Sequence, residues 1–329
     1  MDIVIKKSKP KKSIVFNTYW EFAHKRQEVF FNKIKKKNVL TNDKILKKYK
    51  FTNAYRASDR VSQFLIQNVI YNKEYSPADL FFRIIIFKTF NKIETWKVLQ
   101  NTMNDIRWGN YDFKLYDTIL TNHMNKGNSI YSGAYIMTSG KSSFGYSKKH
   151  RNHLRLIELM MKDALHEKIQ NATTLEDVFN QFKDYPTLGD FLAYQYTIDV
   201  NYSTLIDFSE MDFVMPGPGA KDGIKKCFVD LGDYQLNDVI KYTCNLQVSE
   251  FKRMNINFSD LWGRSLSLID CQNLFCEVDK YSRVAHPNIK GISGRTRIKQ
   301  KYNSNNEEIN YWYPPKWSLN HKIEKMYEK

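Results

Sequence analysis

Apolar residues recur at helical rather than strand spacing along almost the whole chain, with turns marked by Asn, Gly, Pro and Ser. A 3.6-residue repeat lines up side chains on one face of a helix and scatters them on a strand, so the expected fold is a packing of amphipathic helices. Tyr19, Phe22, Ala23, Arg26 and Phe30 share such a face, and Thr18-Tyr-Trp-Glu21 has capping-box spacing before it. The spacing predicts a helix over 56–70, where Val61, Phe64, Leu65, Asn68 and Val69 fall together. It predicts another over 154–169, and a second capping box at Thr173-Thr-Leu-Glu176 opens the next. The most apolar window, 81–90, is ten residues long and carries Arg83 and Lys88, too short and too charged to span a bilayer.

The chain has 329 residues, 42% of them hydrophobic and 15% aromatic, which supplies a core without staples. Cys227, Cys244, Cys271 and Cys276 lack the close pairing of zinc or iron–sulfur sites, and read as reduced thiols. No metal or cofactor is expected. The start is basic and lacks the apolar run of a signal peptide, so the expectation is a soluble, cytoplasmic monomer with no membrane partner.

The formal charge of +16 is concentrated at the ends: residues 1–50 carry a net +11 and residues 281–329 a net +6. Two basic flanks around a near-neutral body suit a polyanion gripped on both sides of a site, the alternative being solvated lysine-rich tails. The organisation read from this is a basic arm over 1–16, a helical body over 17–290 and a basic extension over 291–329. The body is expected to form two lobes with a cleft between them, divided near the Gly/Ser-rich stretch 127–146.

Chemistry concentrates between residues 185 and 283. Pro186-Thr-Leu-Gly189 is a tight turn between two helices, whose free N–H groups at Gly189 suit a DNA phosphate; a plain helix cap is the alternative. Met215-Pro-Gly217-Pro-Gly219-Ala-Lys221 is a second rigid turn, with Lys221, Lys225 and Lys226 nearby, and reads as a phosphate grip or an ordinary proline turn. Gln195 and Asp199 lie one helical turn apart, placed to read the edge of a flipped base or to serve the core. Glu277 and Lys280 share a helix face at i, i+3 with Asp270 and Asp279 on the same helix, as a site or a surface ion pair. Arg56, Asp59 and Arg60 form a third charged group, a salt bridge or a DNA contact.

The turn at Gly189 followed 23 positions on by Asp212 resembles the helix-hairpin-helix DNA glycosylase superfamily, whose catalytic Asp follows its hairpin by one helix and one loop. Phe191 stands where bifunctional members carry a Schiff-base lysine, so the resemblance implies monofunctional chemistry. Four strings in order, over 51–60, 192–203, 212–220 and 276–281, resemble the alpha-glutamyl/putrescinyl thymine pyrophosphorylase family. That family shares its helical domain with certain 5-hydroxymethyluracil DNA kinases. The resemblance implies an all-α, glycosylase-like fold acting on double-stranded DNA with modified bases, and it adds Asn201 and Tyr202 to the expected base pocket of Gln195, Asp199 and Lys280. Asp212, Glu277 and Asp270 are the expected catalytic carboxylates, and Gly189, Gly217, Gly219, Lys221, Lys225, Arg56 and Arg60 the expected DNA contacts.

The leading expectation is a monofunctional DNA glycosylase that flips out and excises a hypermodified pyrimidine, an activity suited to defence against phages. The alternatives are a transferase that replaces the pyrophosphate of 5-pyrophosphoryloxymethyluracil by an amine, and a non-catalytic DNA-binding module.

Overall fold

Ser13 opens the helix Ile14–Ile34, its side-chain oxygen accepting the Val15 N–H at 3.1 Å. The start lies upstream of the box expected at Thr18 because Ser13 also donates to the Lys226 carbonyl, a long-range anchor that no local pattern reveals. Thr18 is instead buried inside the helix, bonded to His286 Nε2 at 2.8 Å. In this computed structural model residues 8–303 and 308–327 are described; Lys6 and Lys7 of the expected arm lie outside the described residues.

The chain divides into two compact units, Met1–Asp59 with Phe213–Ile309, and Arg60–Asp212 with Asn310–Lys329. The stretch 127–146 falls inside the second unit, and the chain passes between units after Asp59, Asp212 and Ile309. Both units are mostly helical. Among the described residues the named strands are Lys11–Lys12 and Phe228–Asp230, paired antiparallel with Lys11 opposite Asp230.

In the first unit the helix Leu268–Ala285 packs against Pro218–Cys227, Ile14–Ile34 and Leu236–Arg253. Gly219 and Gly223, one turn apart, leave bare backbone on the face of Pro218–Cys227 that meets it. A Cβ on Gly219 would lie 2.2 Å from Cys276 Sγ, and one on Gly223 would lie 1.9 Å from the Phe275 carbonyl oxygen. Only glycine permits this approach. The same helix pair is tied by Lys226, whose buried ammonium reaches Asp279 Oδ1 at 2.9 Å and the Asp279 carbonyl at 2.9 Å. Around it Trp20, Tyr19, Phe251 and Phe275 interlock, with Tyr19 and Phe275 ring centroids 4.6 Å apart and Trp20 and Phe251 5.0 Å apart. Each such fully buried side chain contributes roughly 1.5–3 kcal/mol.

In the second unit the helix Pro77–Phe90 is buried at every position from Leu80 to Phe90, the outcome for a helix that is apolar all round. Its two cations are satisfied inside. Arg83 donates to the carbonyls of Val69, Ile106 and Asn68 at 2.9, 3.0 and 3.1 Å, and Lys88 pairs with Asp199 at 3.0 Å.

Three sequence expectations are corrected. The 56–70 helix is broken into a 3-10 turn, Arg56–Ser58, an α segment, Arg60–Phe64, and a π segment, Leu65–Ile70. Asp59 is extended at the first break (φ −70°, ψ 145°). The 154–169 helix is two, Lys149–Lys162 and Leu165–Gln170, with Ala164 left-handed at φ 50° between them. The second capping box uses Thr174 and Asp177, one residue beyond the expected pair. The helices Leu175–Lys183 and Asp190–Asn201 lie where the spacing put them, either side of the Gly189 turn. No helix among the described residues is long and apolar enough to cross a membrane.

Candidate functional site

The segment between Lys50 and Arg60 does not continue a helix because its polar groups are engaged by side chains of the first unit. Asn53 closes the turn by donating from Nδ2 to the Ser58 carbonyl at 2.7 Å. Its backbone N–H donates to Asp59 Oδ1 at 2.7 Å, and the preceding N–H, that of Thr52, donates to Glu277 Oε2 at 3.0 Å. The Thr52 carbonyl accepts from Arg26 Nε at 2.8 Å. Glu277 also receives Lys280 Nζ at 2.7 Å, and that ammonium sits 4.6 Å above the Phe51 ring. Asp59, Glu277, Arg26, Arg56 and Lys280 thus gather around one irregular strand of backbone, supplied by three separated parts of the sequence.

Electrostatics single out Asp59. Removal from water pushes its carboxyl up to about 7, and the Glu277 carboxylate pushes the same way. The Asn53 N–H and the Arg26 and Arg56 guanidiniums pull it down without prevailing. A carboxyl that titrates near neutrality exchanges protons readily at physiological pH, the property required of a general acid or base. From the sequence Asp59 is read only as part of a charged group with Arg56 and Arg60, a salt bridge or a DNA contact, and not as a catalytic residue. Only its enclosure sets it apart, and that is a tertiary property.

The other expected site residues are placed as follows. Asp270, expected to be catalytic, is a helix cap: Oδ2 accepts from Ser267 N and Oγ at 3.0 and 2.9 Å, and Oδ1 from Arg56 N at 2.8 Å. Arg56, expected to touch DNA, is 2% exposed and lies within the charged group instead; its neighbour Arg60 reaches toward Glu94 at 3.9 Å in the second unit. Gly219 packs on Cys276, Gly217 is the buried N-cap of the same helix, and Lys221 and Lys225 are exposed one turn apart on its far side. Asp212 is exposed on a loop of the second unit.

Gln195, Asp199, Asn201 and Tyr202 are all buried. Asp199 holds Lys88. Asn201 pins the following loop by exchanging hydrogen bonds with both backbone groups of Phe208, at 2.9 and 3.0 Å. Tyr202 packs edge-on to Trp317. Gly189 has open space at its Cβ position, and Phe191 stacks on Tyr135 with centroids 5.7 Å apart. Of the expected base pocket, Lys280 belongs to the first unit and the remainder to the second.

The chain belongs to the family of the helical domain of 5-hmdU DNA kinases, whose model matches residues 13–291. It is 25% identical over 325 residues to the 5-hmdU DNA kinase of Bacillus phage SP10, an alignment covering 91% of this chain and 50% of that protein. The chain thus spans about half the length of the curated relative it matches. No solved structure shows a significant match.

Proposed function

We propose that the chain acts on a modified pyrimidine in DNA, transferring a group at the substituent on the 5-methylene, with Asp59 as the proton acceptor. The observation that carries this reading is the placing of Asp59 and Glu277 on consecutive backbone N–H groups beside Arg26 and Lys280, within the family-matched region, where burial also pushes the Asp59 carboxyl up to about 7. Phosphorylation of a hydroxymethyl group, in keeping with the kinase of the phage relative's name, requires a base to take the hydroxyl proton as the oxygen attacks the terminal phosphorus of a nucleoside triphosphate and the nucleoside diphosphate leaves. Exchange of pyrophosphate for an amine requires a base to take a proton from the amine nitrogen as pyrophosphate leaves. Asp59 suits either step, and the neighbouring Arg26 and Lys280 offer cationic charge to a phosphoryl group.

Excision at the anomeric carbon, the leading expectation from the sequence, would rest on Asp212. We favour transfer because an exposed carboxylate is screened by water and opposes a developing sugar cation weakly. The test is incubation of the protein with DNA carrying thymine, 5-hydroxymethyluracil or its pyrophosphorylated form, with and without ATP and with and without an added amine. Nucleoside mass spectrometry and alkali cleavage then read the product. Transfer yields a heavier or substituted base on an intact strand. Alkali-labile abasic sites would instead establish excision.

A further inference from the structure

The first unit contains a cavity of about 320 Å³ between the end of the helix Ile14–Ile34 and the segment 38–51. This lies at the small end of the range of ligand pockets, about 300–1,000 Å³. Its walls are mainly apolar and aromatic, with Tyr49, Phe51 and Tyr302 supplying rings and Arg26, Asn38 and Thr41 supplying polar groups. Tyr302 is brought there by pairing of two extended stretches: Tyr302 N–H donates to the Lys48 carbonyl and Lys50 N–H to the Gln300 carbonyl, both at 3.1 Å. One wall residue, Arg26, belongs to the charged group and another, Phe51, touches it. Arg26 holds the Thr52 carbonyl, and Phe51 lies under the Lys280 ammonium.

The segment that supplies much of the wall is strongly cationic, and Lys47 lines the cavity itself. Residues 33–50 contain eight lysines and a single acid, Asp43. Asp43 is already engaged as a helix cap and by Tyr281 and Lys25, and these hydrogen bonds hold its carboxyl below the ordinary range despite burial. An aromatic cavity formed partly by a lysine-rich segment matches a ligand with a flat apolar unit attached to a polyanionic chain. A nucleotide turned out of a DNA duplex has that chemistry.

We infer that this cavity receives the flipped pyrimidine, its ring against Tyr49 and Tyr302 and its 5-substituent toward Arg26 and Phe51, while the 33–50 lysines hold the flanking phosphates. The inference rests on the transfer reading for the identity of the base, and it adds where that base is bound. Single-stranded and flipped bases gain roughly five- to hundredfold in affinity from each aromatic stacking partner.

The test is photocross-linking of a duplex with one 5-iodouracil, whose iodine occupies the position of the 5-substituent. Mass spectrometry should place the cross-link on Tyr49, Phe51 or Tyr302. Val39 lines the cavity and is 58% exposed, so Val39→Trp fills the opening without disturbing the core. It should lower cross-linking at least tenfold and leave affinity for plain duplex within about twofold. Cross-links confined to the second unit, or an undiminished yield in Val39→Trp, would overturn the inference. If wild type cross-links at Tyr302 yet transforms no modified base, the transfer reading fails and the pocket stands. If Val39→Trp turns over at the wild-type rate, the pocket fails and the transfer reading stands.

Discussion

Asp59 and Glu277, more than two hundred residues apart in sequence, accept hydrogen bonds from consecutive backbone N–H groups, those of Asn53 and Thr52. Their carboxylates are thereby kept near one another while Arg26 holds the intervening backbone through the Thr52 carbonyl. Burial is the main cause that pushes the Asp59 carboxyl up to about 7, and the nearby Glu277 carboxylate adds to it.

If Asp59 is the proton acceptor, turnover should rise with pH through about 7 and level off above it. Asp59→Asn should lower the rate by about 100-fold or more and abolish that rise. Rates across pH 5.5–8.5 under single-turnover conditions check this. A profile that keeps its inflection in Asp59→Asn would assign the titration to another group.

The same shift has a consequence for stability. The folded carboxyl titrates near 7 and an unfolded Asp near 3.9, so the folded state holds the extra proton between these values. The stabilisation from that proton is complete below about pH 4 and is lost as pH rises through 7. Asp59→Asn, which keeps an oxygen for the Asn53 N–H, should come nearest to wild type in thermal midpoint at about pH 4 and exceed it by a growing margin up to pH 8. Equal differences at both pH values would contradict the assignment.

Gly223→Ala should be severely destabilising, since its Cβ would overlap the Phe275 carbonyl, a backbone atom that cannot rotate away. Overpacking of this kind costs about 1–3 kcal/mol or more. Gly189→Ala, with open space at its Cβ, should shift denaturant midpoints little. Comparable midpoints for the two variants would mean that the helices separate easily.

Lys226→Met leaves buried Asp279 with Arg283 as its remaining ion-pair partner among the described residues and the Arg295 charge nearby. Stripping one partner from a buried pair costs about 3–5 kcal/mol, and the residual Arg283 contact places the expected loss near the lower end. Urea unfolding measures it; a loss below about 1 kcal/mol would show that the remaining cations neutralise Asp279.

Affinity for DNA should fall steeply with salt, and replacing Lys33, Lys35 and Lys37 by Gln should reduce the log–log slope by roughly 0.9 for each phosphate contact removed. Lys36 pairs with Glu308 across exposed surface at 2.7 Å, so Lys36→Gln is expected to change the slope less. Titrations at several salt concentrations distinguish the two. In the same protein Asp212→Asn should leave transfer nearly unchanged, whereas an excision enzyme would lose turnover by orders of magnitude.

Sequence periodicity alone determined the helical class, the two helices around Gly189 and the i, i+3 pairing of Glu277 with Lys280, because each follows from spacings of a few residues along one backbone. The four family-like strings likewise pointed to the helical domain that the family match covers. Local pattern misplaced the start at Ser13, which is anchored by the distant Lys226 carbonyl, read 56–70 as one helix although Asp59 turns there to accept from the Asn53 N–H, and did not show the bond of Asp270 to the distant Arg56 N–H. Gly219 looked like a phosphate-binding turn because a glycine needed for close helix packing and one needed to expose N–H groups are the same letter. Asp59 became distinguishable only when folding removed it from water beside Glu277. Desolvation and charge proximity are properties of the space around a residue, so the tertiary structure alone decided which of the chain's many carboxylates titrates near neutral pH.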